Sequence, residues 1–219
     1  TKYFRKQHNF AENGNKMSFL EFQKAFSDYP AISIQEIRKA SPGFNPRNLT
    51  NWQARGLVKK IRNGWYALAG QRLSQPLLFA IANQVYTPSY VSLESALSWH
   101  GFIPEGVFTV TSVSSRKTQT FDGQLGKFTY QALQPMQMTG FRLLEAEGWR
   151  FKMAEPEKAL LDFLHLHPVY DSPEAIAGLR LNPFTINELN EAKLEDYLAL
   201  FHNKSLEKRL KLVRNAVTV

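Results

Sequence analysis

Apolar residues recur at helical spacing three times within the first third of the chain, each time behind a residue suited to capping a helix. Ser18 and Glu21 form a capping box ahead of Phe19, Phe22 and Phe26, which predicts a helix over 18–27. Ser33 and Glu36 repeat the box ahead of Ile34 and Ile37. They predict a second helix, 32–40, stopped by Ser41-Pro42-Gly43. Asn45, with Pro46 in the first-turn slot, opens a third helix over 45–55, and Gly56 closes it as a left-handed cap. Leu49 and Trp52 point inward from this helix. Arg47, Asn51 and Arg55, spaced by four, share the opposite face, with Asn48 and Thr50 beside them. Leu57–Arg62 and Trp65–Leu68 then read as two strands around Asn63-Gly64, a type I′ hairpin signal.

Beyond residue 75 the pattern changes to helices mixed with strands. Pro76 opens an apolar helix, LLFAIANQV, and Tyr86–Tyr90 is a turn-rich connector. Ser92 caps a helix, LESALSWHG, closed by Gly101. Phe108–Val113, Lys127–Leu133 and Trp149–Met153 read as strands; Ser114–Thr120, with Arg116 and Lys117, reads as a polar loop. Glu155-Pro156-Glu157-Lys158 begins the helix KALLDFLHLH, and residues 186–216 are mainly helical. The expected fold class is α+β. A winged helix-turn-helix domain, 1–72, is followed by a mixed domain, 73–219, with a small antiparallel sheet.

Charge sharpens this division. Residues 1–72 hold 13 Lys+Arg against 4 Asp+Glu, whereas residues 73–219 hold 14 against 15. The whole basic excess therefore sits with the helix-turn-helix and hairpin, which favours a polyanionic partner there. Arg and Asn carry the paired hydrogen-bonding groups that match guanine and adenine edges in the major groove. Arg47, Asn48, Thr50, Asn51 and Arg55 are thus expected to read or approach bases. Lys59, Lys60, Arg62 and Asn63 are expected to meet phosphate or the minor groove. Residues 1–16 are expected to form a loose basic arm. The competing reading of the same pattern is a small helical domain with a solvated charged face.

The rest of the sequence limits the chemistry. There are no cysteines, which excludes disulfides, cysteine zinc sites and thiol catalysis. No apolar run approaches the roughly 20 residues that span a bilayer, and the first ten residues lack the apolar centre of a secretory signal. The expectation is a cytoplasmic protein without a membrane partner. No phosphate-binding loop, HExxH, GxSxG or dinucleotide fingerprint is present. Ser92, Glu94, Ser95 and His100 read as a cap, a first-turn acid and helix-end residues rather than a catalytic group. Asp162, His165 and His167 read as satisfied polar residues on a largely buried helix rather than metal ligands. No catalytic residue, metal or cofactor is expected.

Three stretches in order carry a family resemblance: RNLTNWQARGLVKKIRNGWYAL (Arg47–Leu68), YVSLESALSWHGFIPE (Tyr90–Glu105) with the following FTVTS and LGKFTYQAL, and MAEPEKALLDFLHLHP (Met153–Pro168). In these the chain resembles the AbiEi-type antitoxins, transcriptional regulators of type IV toxin–antitoxin and abortive-infection loci. The resemblance implies a winged-helix domain that binds an operator ahead of its own operon and represses it. It implies a C-terminal domain that carries the antitoxin function and supports assembly on DNA. It also implies a functional link to a nucleotidyltransferase-like toxin. By analogy among winged-helix proteins, a homodimer on inverted repeats of double-stranded DNA is the expected assembly. Two other function classes fit the sequence: an interaction module that holds a toxin with DNA contact secondary, and a nucleic-acid-processing enzyme.

Overall fold

The computed structural model describes residues 17–104, 106 and 108–217. The basic arm expected over residues 1–16 lies outside the described residues. The fold is mixed α+β, with ten α-helices and sheets of three and six strands among the described residues. The chain divides into two compact units, one comprising the residues up to Ser74 with Asp122–Leu125, the other Gln75–Phe121 and the residues from Gly126 on.

The first unit runs α1 (Phe19–Phe26), β1 (Ile32–Ser33), α2 (Ile34–Ala40), α3 (Arg47–Ala54), β2 (Val58–Arg62) and β3 (Trp65–Leu68). Both capping boxes are present. The Ser18 and Ser33 hydroxyls accept the amides of Glu21 and Glu36, whose carboxylates accept the serine amides in return. Two orphan donors are satisfied at each helix start, which pins where α1 and α2 begin. Phe22, Phe26, Ile37, Phe44, Leu49 and Trp52 then close the core between the three helices. Trp52 is its centre, with ring centroids 4.9 Å from Phe22, 5.5 Å from Phe19 and 5.8 Å from Phe44.

Two features of this unit depart from the sequence reading. Ile32 and Ser33 are not helical. They form a short strand antiparallel to β3, giving the sheet order β1-β3-β2. The hairpin is also not type I′, because that turn needs positive φ at both central residues. Gly64 has φ +77, but Asn63 is not among the described residues with positive φ. The register shifts between Lys60 and Arg62 instead, so the turn is a bulged one with glycine in the left-handed position.

The second unit contains α4 (Gln75–Val85), β4 (Ser89–Val91), α5 (Leu93–Trp99), β5 (Thr109–Ser114), β6 (Gln119–Gly123), β7 (Gly126–Ala132), β8 (Phe141–Ala146), β9 (Trp149–Ala154) and α6 (Pro156–Leu166). Four further helices follow: α7 (Pro173–Gly178), α8 (Pro183–Asn187), α9 (Glu191–Ala199) and α10 (Lys204–Val217). The small antiparallel sheet expected here is instead a six-stranded mixed sheet, ordered β6-β7-β5-β4-β9-β8. β5 runs parallel to β7, and β4 parallel to β9. Three strands escaped the sequence pattern. β4 is three residues long and buried throughout, so it shows no alternation, while β6 and β8 are polar or unevenly exposed.

Candidate nucleic-acid interface

α3 is set by its ends. The Asn45 side chain accepts the Arg47 amide at 3.0 Å, and Pro46 already has helical φ and ψ (−58, −23), so Asn45 is the working cap. At the other end Gly56 has φ +67. The Leu57 amide donates to the Trp52 carbonyl at 2.9 Å, and the Gly56 amide to Gln53 at 2.9 Å. These two bonds make a Schellman closure, in which a left-handed glycine is required. Leu49 and Trp52, both buried, fix the rotation of the helix about its axis.

That rotation decides which polar residues face outward. Arg47, Thr50, Asn51 and Arg55 are exposed, while Asn48 is half-buried at the edge of the face. Ala54 is exposed among them. Five of the residues expected to approach bases are therefore gathered on one helix, four of them fully on the outer face.

The hairpin separates the remaining cations. In β2 and β3, Val58 pairs with Leu68, Lys59 with Ala67 and Lys60 with Tyr66. Directly opposed residues share a face and successive residues alternate. Val58, Tyr66 and Leu68 pack on the three-helix core, so Lys60 lies on the side of the hairpin that carries α3. Lys59 lies on the other face with buried Ala67. Beyond the bulge, the Arg62 guanidinium stands 5.9 Å from the Trp65 ring centroid, and Asn63 is exposed at the tip.

Acidic groups do little to dilute this field. Residues 17–74 contain nine Lys+Arg and three Asp+Glu. Glu21 and Glu36 are held in the capping boxes, and the Glu21 carboxyl lies below its usual range because the Ser18 amide and hydroxyl donate to it. Asp28 accepts from the Ser27 hydroxyl at 3.2 Å. Arg38 and Lys39, exposed at the end of α2, have no ion-pair partner among the described residues. The sequence reading passed over both, although their place on the polar side of an amphipathic helix marks them.

In the second unit the polar residues weighed for chemistry form separate contacts rather than one cluster. Ser92 does not cap α5; its hydroxyl donates to Asp162 at 2.8 Å. The start of α5 is secured from β5, where the Thr111 hydroxyl accepts the Ser95 amide at 2.9 Å. Glu94 faces His167 at 3.4 Å. His100 donates Nε2–H to the Ala154 carbonyl at 2.8 Å, and burial lowers its pKa despite that bond. The Glu155 carboxylate accepts from Arg142, Lys193 and Tyr197. Burial alone would raise its pKa, but these donors outweigh burial and hold it below the usual range. The same contact pushes the Tyr197 phenol up to about 12, first through burial and then through Glu155. A cavity of about 320 Å³ borders Glu155, Glu157, His100, Arg142 and Lys193. Among the described residues no three His, Cys, Asp or Glu side chains are grouped as metal ligands, and no helix is long and apolar enough to cross a membrane.

No protein-family model matches this chain, and no curated protein matches it.

Proposed function

We propose that this protein is a DNA-binding transcriptional regulator whose first unit is a winged helix-turn-helix domain. The observation that carries the reading is the element order α1-β1-α2-α3-β2-β3 with the outer face of α3 left polar, cationic and unobstructed within its unit. The order supports reading α2 and α3 as a helix-turn-helix followed by the β2–β3 hairpin, the arrangement in which the second helix of such a pair enters the major groove. Arg47 and Asn51 are the proposed base-reading residues, Thr50, Arg55 and Asn48 their neighbours, and Lys60 and Arg62 the phosphate contacts of the hairpin.

The regulator is proposed to act on its own operon as the antitoxin of a type IV system. The sequence resemblance over Arg47–Leu68, Tyr90–Glu105 and Met153–Pro168 supports that part of the reading.

Fluorescence anisotropy with the DNA upstream of the gene and with a scrambled duplex, across a salt series, tests the reading. The expected result is binding to the upstream duplex roughly a thousandfold tighter, or more, at physiological salt. Equal and steeply salt-dependent binding to both duplexes would leave only a basic surface. Rescue of growth on co-expression with a nucleotidyltransferase-like toxin encoded beside this gene, once one is found there, tests the antitoxin role separately.

A further inference from the structure

We infer that the cavity beside the start of α6 binds a small zwitterion, a free amino acid with an apolar side chain. The inference goes beyond the DNA-binding reading and lies wholly within the second unit.

The cavity, of about 320 Å³, is bordered by the end of α5, by β8 and β9, by the first turn of α6 and by α9. That volume is at the low end of ligand pockets, which run from roughly 300 to 1,000 Å³, so its occupant is small. The polar wall divides into groups that only accept and groups that only donate. On the accepting side, Glu157 is 6% exposed, and one of its oxygens takes the Asn190 amide at 2.9 Å. The other oxygen has no donor, and the carboxylate no ion-pair partner, among the described residues. His100 commits Nε2–H to the Ala154 carbonyl, and burial keeps the ring neutral. Its Nδ1 is therefore an unprotonated acceptor, without a partner among the described residues. The Glu157 charge acts on this ring, so the two acceptors are neighbours. Two unpartnered acceptors, one of them charged, suit an ammonium group.

On the donating side, Arg142 reaches Glu155 through Nε alone. Its two terminal nitrogens have no acceptor among the described residues. Lys193 gives Glu155 one bond, at 3.1 Å, and an ammonium group carries three donors. The planar fork of a guanidinium is the match for a carboxylate.

Glu155 and Glu157 make the contrast that points to a ligand. Both are buried and two residues apart, yet Glu155 accepts from three side chains and Glu157 from one backbone amide. A buried carboxylate short of donors is costly, and the adjoining cavity is where a further donor can enter. The charges also select the ligand class. Arg142 and Lys193 balance Glu155 and Glu157, so the wall is neutral. A zwitterion keeps it neutral, whereas a lone cation or anion would leave an excess charge beside buried groups. Leu144, Met153 and Pro156 complete the lining with an apolar surface for the side chain.

The test is calorimetric titration of the full chain, without DNA, with leucine, valine, methionine and phenylalanine. Two analogues of leucine accompany them: 3-methylbutylamine, which lacks the carboxylate, and 4-methylpentanoate, which lacks the ammonium. At least one of the four amino acids is expected to bind with a dissociation constant in the millimolar range or tighter. Each analogue is expected to bind about tenfold or more weakly than leucine, since each leaves one set of polar groups unpaired. Glu157→Gln keeps an acceptor for the Asn190 amide and removes the charge. It is expected to abolish the preference for leucine over 4-methylpentanoate while keeping that over 3-methylbutylamine. Arg142→Gln, at a side chain 64% exposed, is expected to do the reverse. A merely structural role for either residue would weaken all ligands together, and that result overturns the assignment. Absence of binding by all four amino acids overturns the site, as does an analogue that binds as tightly as leucine. None of these outcomes touches the DNA-binding reading, which the duplex titrations decide on their own.

Discussion

Lys158 donates to the Asp162 carboxylate one turn along α6, and both side chains are completely buried. Tyr90 and Ser92 hydroxyls donate to the other carboxylate oxygen at 3.0 and 2.8 Å, and the ammonium group also donates to the Tyr90 oxygen at 2.9 Å. Phe201 covers the ammonium, its ring centroid 4.9 Å away. Burial pushes the Asp162 carboxyl up and the Lys158 amine down, each opposed by the partner's charge. The network joins β4 to α6 where solvent cannot take over either charge. Asp162→Ala is therefore expected to cost about 3–5 kcal/mol, because it strands a buried ammonium. Adding Lys158→Met is expected to recover most of that loss in urea unfolding. A single variant as stable as wild type would mean the pair is not a buried ionic contact.

Trp52 is the corresponding dependency of the first unit. It touches Phe19, Phe22 and Phe44 and carries the inner side of α3. Trp52→Ala is expected to destabilise the unit by about 3–5 kcal/mol. It is expected to abolish DNA binding along with helicity, since Trp52, together with Leu49, orients the outer face of α3. Retained binding with lost helicity would separate the interface from the fold described here.

Acid should weaken the second unit through His100. Burial lowers its folded pKa below the ordinary value of 6.5, although the Ala154 bond and the charges of Glu157 and Glu155 pull the other way. A depressed pKa means the unfolded chain takes up the proton first as pH falls. The contribution is fully present above about pH 6.5 and is lost as pH drops through the folded value. The melting temperature is expected to fall between about pH 7.5 and about pH 5.5, less steeply in His100→Gln. An identical pH slope in the variant would assign the effect elsewhere.

How much of this was legible depended on how local each determinant is. The capping boxes at Ser18 and Ser33, the cap at Asn45 and the left-handed Gly56 are encoded within four residues, and each stands where the sequence reading put it. The outer face of α3 followed from Leu49 and Trp52 alone. β1 was not legible because two residues inside an apparent helical run become a strand only by pairing with β3. Ser92 looked like a helix cap, but its hydroxyl is claimed by Asp162, 70 residues away. The mixed sheet was hidden for the same reason. The parallel pairing of β5 with β7 is a long-range choice that no alternation reports.

For α3, Arg47→Ala is expected to cost about 1–3 kcal/mol in binding and to relax specificity at one base pair, if Arg47 grips a guanine edge. Asn51→Ala is expected to do the same at a neighbouring adenine, without changing the salt slope. Competition with single-base-substituted duplexes reads both. Uniform weakening across all sequences would move these residues from base reading to backbone contact.

The two adjacent lysines of β2 give a sharper test of the docking side. Lys60 pairs with Tyr66 on the face that packs against the three-helix core, and so lies on the side of α3. Lys59 pairs with Ala67 on the opposite face. A duplex that receives α3 in its major groove is expected to meet Lys60 rather than Lys59. Lys60→Ala is accordingly expected to weaken all sequences alike and lower the salt slope by about one unit, while Lys59→Ala leaves the slope unchanged. Equal effects from both would put the duplex across both faces of the hairpin and overturn this docking side. The reverse order, with only Lys59 sensitive, would put the DNA on the far side of the hairpin and α3 out of the groove.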